Sequence, residues 1–382
     1  MVKMTGGQAL AKSLYREGVR VIFGLPGVQL YHMMDGLYDE PGIRFITVRH
    51  EQATAYMADG YARASGEVGT ALVVPGHGLL NASSALSTAY TASSPVLMVT
   101  GQIEKDEIGG DRGMLHEVND QLDAIGPVTK WAKRMLDPAE VPEIVHEAFH
   151  NLKNGRPRPV EIEIPPETLA EVGEVELLEP EAPRPLSAPA GQVEAAAEAL
   201  IGAAKPLIWA GGGVISSEGS EALTKLAEFL QAPVVTTAEG KGAISDHHPL
   251  SLGALWLRND TIARKEFGHD VILAVGTRLV TSQWLDGQKV VHIDIDPEEI
   301  GRGYTDTLRV EGDAKLTMEN LLTALSTKTS AREDNTAAVA AQKTQRSNDI
   351  IKVQPQGELL EAVRRAVPED GILISGMTQL GY

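Results

Sequence analysis

The apolar positions of this chain recur in two rhythms that take turns. Short, mostly apolar runs such as VRVIFG (19–24), IRFITV (43–48), GTALVV (69–74), PVLMVTG (95–101) and PVEIEIP (159–165) predict β-strands. Between them lie amphipathic stretches around 28–38, from Glu51 onward, over 79–92 and near 139–152, which predict helices. Ahead of the first strand, Thr5 is placed to cap a helix that Gly18 ends. Apolar strands separated by helices predict a parallel sheet covered on both faces, a doubly wound α/β domain.

The rhythm breaks at LLEPEAPRPLSAPAG (177–191), whose prolines and small residues predict a linker. A second α/β set follows, with strands KPLIWAGG (205–212), APVVTT (232–237), DVILAVGTR (270–278), KVVHIDID (289–296) and TLRVEGD (307–313). The polar stretch 326–349 predicts another linker, and then come a helix, GELLEAVRRAVP (357–368), and a strand, GILISG (371–376). One helix and one strand cannot bury a core of their own. The expected organisation is therefore a first domain over 1–175, a linker over 176–190, a Rossmann-like domain over 191–325, a linker over 326–352 and the start of a third α/β domain over 353–382, cut short at Tyr382.

Composition acts mainly by exclusion. With 52 acidic against 34 basic residues the formal charge is −18, which disfavours nucleic acid or an anionic membrane as a partner. Cysteine is absent, so disulfides, thiolate metal sites and a cysteine nucleophile are excluded. No apolar run reaches membrane-spanning length, and the N-terminus reads as a capped helix rather than a signal peptide. A cytoplasmic protein is the expectation. Neither a Gly-x-Ser-x-Gly elbow nor a phosphate-loop Gly-Lys-Ser/Thr occurs.

The candidate chemistry sits at strand-to-helix junctions, where parallel sheets bind ligands. Glu51, in VRHEQATAYMADGYARAS (48–65), stands at such a seam. A first-turn carboxylate is also routine helix-dipole chemistry; the sharper reading is a proton exchanged with a ligand nitrogen. FGLPGVQ (23–29) and VVPGHGLLNASSALSTAY (73–90) carry Gly24, Pro26, Gly27, Gly76 and Gly78 in turns that serve either close ligand approach or plain reversal. His77 reads more readily as a loop residue than as a base. Gln102 ends another strand. In the second set, WAGGGV (209–214), GTR (276–278) and HIDID (292–296) serve nucleotide binding or strand-end turns equally well. The scattered histidines, DHH (246–248) included, form no metal-ligand pattern.

The order of these segments is more informative than any one of them. REGVRVIFGLPG, VRHEQATAYMADGYARASG, LLNASSALSTAYTASSPVLMVTGQI, GPVTKWAKRM, GRPRPVEIEIP, KGAISDHHPLSLG, DVILAVGTRLV and VVHIDIDPEEIGR follow one another over nearly the whole chain. The series resembles the thiamine-diphosphate-dependent enzymes of the acetolactate synthase (acetohydroxyacid synthase) type. That resemblance implies a pyrimidine-binding domain, a Rossmann-like central domain and a diphosphate-binding domain, here truncated. It implies that Glu51 bonds the aminopyrimidine of thiamine diphosphate and starts the proton relay that activates the cofactor, in a pocket shared with Gly24, Pro26, Gly27, Gly76, Asn81 and Gln102. In the central domain it lends an FAD role to Gly211, Gly212, Arg278 and Asp294.

The implied activity is that of a lyase or transferase acting on a 2-oxo acid, pyruvate foremost, in a homodimer or homotetramer. Another carboligase or decarboxylase of the superfamily, or a non-catalytic nucleotide-binding scaffold, is the alternative. The chain departs from the synthase pattern at Leu115 and His116, at PGHG (75–78) and after GTR (276–278). The Gly-Asp-Gly motif that holds Mg2+ in this family does not occur. The Mg2+ ligands are therefore expected in the missing domain, and this chain alone is expected to be inactive.

Overall fold

The computed structural model describes residues 1–254, 268–280, 288–302 and 306–376. The chain divides into two compact units, Met1–Arg184 and Pro185–Tyr382. In the first, chain order is β1 (Val2–Thr5), α1 (Gly6–Arg16), β2 (Val21–Leu25), α2 (Tyr31–Tyr38), β3 (Arg44–Thr47), α3 (Glu51–Ser65), β4 (Gly69–Val73) and α4 (His77–Ala92). It continues with β5 (Val96–Gly101), α5 (Gln121–Ile125), β6 (Trp131–Arg134), α6 (Val141–Lys153), β7 (Val160–Ile164), α7 (Pro166–Ala170) and β8 (Val172–Val175). Six strands form a parallel sheet in the order β3-β2-β4-β5-β7-β6. Thr5 caps α1 through a reciprocal capping box with Gln8, and Gly18 follows at φ +103°. The sequence does not foretell β6, which is short and half-buried, or the antiparallel pair of β1 with β8.

The two faces of this sheet are packed differently. One carries large side chains: Leu10 and Leu14 of α1 and Phe149 of α6 lie with Leu97, Val99 and Ile162 of the strands. The other is built of small ones, with Ala55 and Ala58 of α3 and Ala82, Ala85 and Ala89 of α4 lying with Ala71 and Met98. Short side chains let helix and strand backbones approach closely. At Gly69 a Cβ would lie 2.0 Å from the Ala58 carbonyl oxygen, so only glycine starts β4 there.

The sheet also buries two carboxylates. In the registers of β7 with β5 and β6, Glu161 stands beside Met98 and Ala132, and Glu163 beside Thr100 and Arg134. Both glutamates are fully buried. They alternate with Val160, Ile162 and Ile164, and α4, α5 and the segment after it cover their face of the strand. Glu163 is well supplied with donors, described below. Neither oxygen of Glu161 has a hydrogen-bond partner, and the Thr100 hydroxyl stands outside bonding geometry. Burial drives the Glu161 pKa well above the usual carboxylate range and the Glu163 charge adds to the rise, which Thr100 and Arg134 offset only in part.

Residues 176–189, the proline-rich stretch, carry neither helix nor strand. The second unit contains α8 (Ala190–Gly202), β9 (Pro206–Ala210), α9 (Gly212–Ser216), α10 (Ser220–Leu230), β10 (Val234–Thr236), β11 (Ser251–Ala254), β12 (Val271–Val275), β13 (Lys289–Asp294), β14 (Thr307–Glu311), α11 (Ala314–Lys328), α12 (Thr336–Ile351) and α13 (Gln356–Ala366). Its sheet, parallel throughout, has the order β11-β10-β9-β12-β13-β14, around a core with Trp209 at its centre.

Two expectations fail here. The stretch expected as a linker over 326–352 is largely helical, because its alanine-rich part favours a helix and buries Val339 in the core of this unit. GILISG (371–376) forms no strand: no neighbour among the described residues pairs with it, and Ile372 and Ile374 are each 91% exposed. Apolar β-propensity alone does not make a strand without a partner ladder.

Glu161 generates a prediction. An acid whose folded-state pKa is raised binds more protons in the fold than in the unfolded chain, so stability falls as pH rises above the ordinary value of 4.5 and levels off above the raised one. Glu161→Gln removes that titration. The variant's unfolding free energy, from urea titration, should match the wild type below pH 4.5 and exceed it by a widening margin above, reaching about 1–3 kcal/mol. A margin independent of pH would contradict this.

Candidate functional site

In the first unit the chain runs outward in opposite directions from β2 and β4, which are neighbours, so the crevice opens at their carboxyl ends. Three turns meet there. Gly27 lies so close to Val74 that a Cβ would come within 2.5 Å of its Cγ1, and Gly24 is closed in by the Phe45 ring and the Leu72 carbonyl. Gly101 sits against Pro75, Leu30 and Gln29. Pro26 is exposed at the rim. These glycines are needed first of all for the turns to pack on one another.

Glu51 opens α3. Its neighbour His50 is the N-cap, with extended backbone and Nδ1 accepting from the Gln52 amide at 3.1 Å. That bond places the imidazole proton of a neutral His50 on Nε2. Glu51 is half-buried. Its Oε2 accepts from Asn81 Nδ2 at 3.0 Å, while no donor among the described residues reaches Oε1. A second tie, Gln52 Nε2 to Ser84 Oγ at 2.8 Å, runs between the same two helices. The alanine faces of α3 and α4 bring the backbones close enough for both bonds. The result is a carboxylate with one oxygen fixed and one presented.

The turn before α4 is held from the other side. Gly76 has φ +57°, and a Cβ there would lie 2.1 Å from the His116 carbonyl oxygen. Its N–H donates to Gln121 Oε1 at 2.8 Å, so it is not free to bind an anion. Gln121 Nε2 donates to the Gly101 carbonyl at 3.1 Å and to Glu163 Oε2 at 2.5 Å. Glu163 Oε1 also accepts from Gln102 Nε2 at 3.2 Å and from Arg134 Nε. Gln102 is buried, and its Oε1 accepts the Ile103 amide at 2.7 Å, so its side chain braces the strand end rather than lining an open pocket.

His116 is itself at φ +73°. Its ring stacks on His77 with centroids 4.3 Å apart, and its Nδ1 faces the Pro75 carbonyl at 3.3 Å. The loop that delivers His116 is organised by Glu117, whose carboxylate accepts the Gly113 and Met114 amides at 2.6 and 2.8 Å. The Met114 amide leads in holding the Glu117 pKa below its ordinary value.

In the second unit, the residues with an implied nucleotide role serve the fold. The Gly211 and Gly213 amides donate to the Val275 and Gly276 carbonyls at 2.9 and 3.0 Å, and a Cβ at Gly211 would meet Gly276 O at 2.2 Å. Gly212 rests against Glu239, and Arg278 is half-buried with partners of its own. Asp294 Oδ1 accepts the Asp296 amide at 2.9 Å. His292 donates from Nε2 to the Thr277 carbonyl at 2.8 Å and accepts the Gly301 amide on Nδ1. Burial holds its pKa below the ordinary value, so it is neutral.

Among the described residues, no group of three His, Asp or Glu side chains converges to hold a metal ion, and no helix is long and apolar enough to cross a membrane. Sequence reasoning brought Glu51, Asn81 and the glycine turns together but missed Gln121, Glu163, Arg134 and the capping role of His50. Two glutamates in an otherwise apolar strand were the available signal for the buried network.

Comparison with known proteins gives consistent matches. Residues 4–124 match the thiamine pyrophosphate enzyme N-terminal TPP binding domain, and residues 193–321 the thiamine pyrophosphate enzyme central domain. A probable acetolactate synthase large subunit of Methanocaldococcus jannaschii is 38% identical over 341 residues, covering 84% of this chain and 56% of that protein. Acetolactate synthase isozyme 3 large subunit of Escherichia coli is 33% identical over 342 residues, covering 85% and 58%. A probable 2-ketoarginine decarboxylase of Pseudomonas aeruginosa is 35% identical over 399 residues, covering 99% and 68%. The chain thus spans little more than half the length of the synthases it matches.

The Gly76 turn can be tested against a matched control. Gly66 also has positive φ, +77°, but open space around its missing Cβ. Gly66→Ala should cost about 1 kcal/mol from backbone strain alone. Gly76→Ala meets a backbone oxygen as well and should cost at least about 2 kcal/mol more in urea unfolding. Equal losses would mean that the His116 contact is soft.

Proposed function

The chain belongs to the thiamine pyrophosphate enzymes, and we propose that its first unit supplies the pyrimidine-binding part of a thiamine-diphosphate site that decarboxylates or carboligates a 2-oxo acid, with pyruvate the leading substrate. In this reading residues 1–175 are the pyrimidine-binding domain, 191–325 the central domain and 353–382 the beginning of the diphosphate-binding one. The observation that carries it is the Glu51–Asn81 pair. A carboxylate locked by one oxygen and open at the other fits a ring nitrogen that must gain a hydrogen-bond partner, at the carboxyl edge of the first sheet.

When bound, the cofactor supplies the electron sink for loss of carbon dioxide from a 2-oxo acid. The residues of this chain do the rest of the work at its ring end. Asn81 fixes the Glu51 rotamer, so that Oε1 meets the ligand without reorganising. Glu51 holds and returns the proton at Oε1. Aspartate would be one carbon too short, and glutamine could hold the geometry but not pass the proton. His77, one helical turn before Asn81 along α4, stacks on the His116 ring.

Mg2+ and the diphosphate are assigned to the part of the relatives' length that this chain does not span. No step is assigned to FAD. Tyr56, Met57 and Leu80, apolar residues 37–45% exposed on α3 and α4, support a homodimer or homotetramer of the complete protein, which we place in the cytoplasm.

A second reading has its own support. The 2-ketoarginine decarboxylase matches 99% of this chain, against 84% for the Methanocaldococcus synthase, which favours simple decarboxylation of a larger 2-oxo acid.

In the complete, cofactor-loaded protein, Glu51→Gln should fold normally and lose at least about a hundredfold in turnover; wild-type-like turnover would sink the assignment. Offered pyruvate and 2-ketoarginine side by side, the enzyme should form a carboligation product from pyruvate. Release of carbon dioxide from 2-ketoarginine alone would select the second reading.

A further inference from the structure

We infer that Gln121 is a positioning residue of this site: anchored by buried Glu163, its amide holds the Gly76 turn, and through α4 it holds the Asn81–Glu51 pair. The inference rests on the functional reading above for what the pair does, but its geometry stands apart from it. Gln121 is 2% exposed. Both of its N–H donors are used, on the Gly101 carbonyl and on Glu163, and its oxygen takes the Gly76 N–H. The amide can face only one way. Turned over, it would set its NH2 against an N–H and its oxygen against two acceptors, losing all three bonds.

The turn needs this partner. Gly76 is the N-cap of α4, and no side-chain cap bond is made from its own position. At φ +57° and ψ −116° it occupies backbone space that only glycine visits readily. Its buried N–H would be an orphan without Gln121. The anchor is strong in turn, because Glu163 accepts from Gln102 and Arg134 as well, so Gln121 is fixed to a point that cannot drift. His77 begins α4 immediately after the turn, and Asn81 lies one helical turn further on, bonded to Glu51. Loosening the turn therefore frees the residue that orients the carboxylate. Gln121 acts only through these neighbours.

The test uses purified chain 1–382, without cofactor, and NMR-detected hydrogen exchange at Gly76 with the β4 amide of Leu72 as internal reference. Gln121→Leu should speed Gly76 exchange about tenfold or more relative to Leu72. It should also shift the side-chain NH2 signals of Asn81. Glu163→Gln touches neither Gly76 nor Asn81, yet should speed Gly76 exchange in the same sense, and this variant decides the matter if Gln121→Leu does not fold. Gly76 protection unchanged in Glu163→Gln, or Asn81 signals unmoved in Gln121→Leu, would overturn the inference.

In the loaded complete protein, Gln121→Leu should lower kcat about tenfold with KM for the 2-oxo acid within about twofold. A rise in KM with kcat intact would overturn the positioning role. If Glu51→Gln retained full turnover, the functional reading would fall while the exchange result stood or fell on its own.

Discussion

A carboxylate stripped of water must find donors to replace it, and Glu163 is stripped completely. It finds them in Arg134 of β6, Gln102 after β5 and Gln121 of α5. Each comes from a different element, so satisfying one buried charge fixes where those elements end. Gln121 then passes the constraint to the Gly76 turn and to the end of β5. Much of the carboxyl edge of the first sheet is organised from this interior point outward. The surface turns alone, being rich in glycine, would carry little preference for one arrangement.

A second constraint works from the opposite side. The α3 and α4 helices meet through alanines, and so closely that the glutamate opening α3 and an asparagine one turn into α4 reach each other directly. Longer side chains would hold the helices apart and leave Glu51 bonded to water. Packing of small residues and orientation of a charged one are thus the same feature of the structure, seen in the core and at the rim.

Much of this was legible in the sequence. Strand and helix rhythms located most elements of both sheets, and the seam position of Glu51 was visible at once. What escaped detection did so for physical reasons. β6 and β11 are short and gain their pairing from neighbours rather than from their own pattern. Glu161 and Glu163 alternate with aliphatic residues in a strand expected to be covered, but sequence does not say which donors a covered carboxylate will find. Gln121 sits in a polar stretch where nothing marks one amide as buried. His50 is an uncommon cap, chosen by the extended backbone that precedes α3. Residues 326–352 looked like a linker on composition, yet Val339 is buried in the core of the second unit and holds a helix there. GILISG shows the reverse case, strand-forming residues that no strand among the described residues joins.

Glu161 has a calorimetric consequence. Between the ordinary carboxylate pKa and its raised value in the fold, Glu161 is ionised in the unfolded chain and neutral in the native one. Folding in that range draws a proton from the surrounding buffer, and unfolding returns it. The heat of unfolding therefore includes the ionisation enthalpy of whatever buffer is present. Two laboratories melting this protein at one pH, in buffers with different proton-binding heats, would record different enthalpies for the same transition.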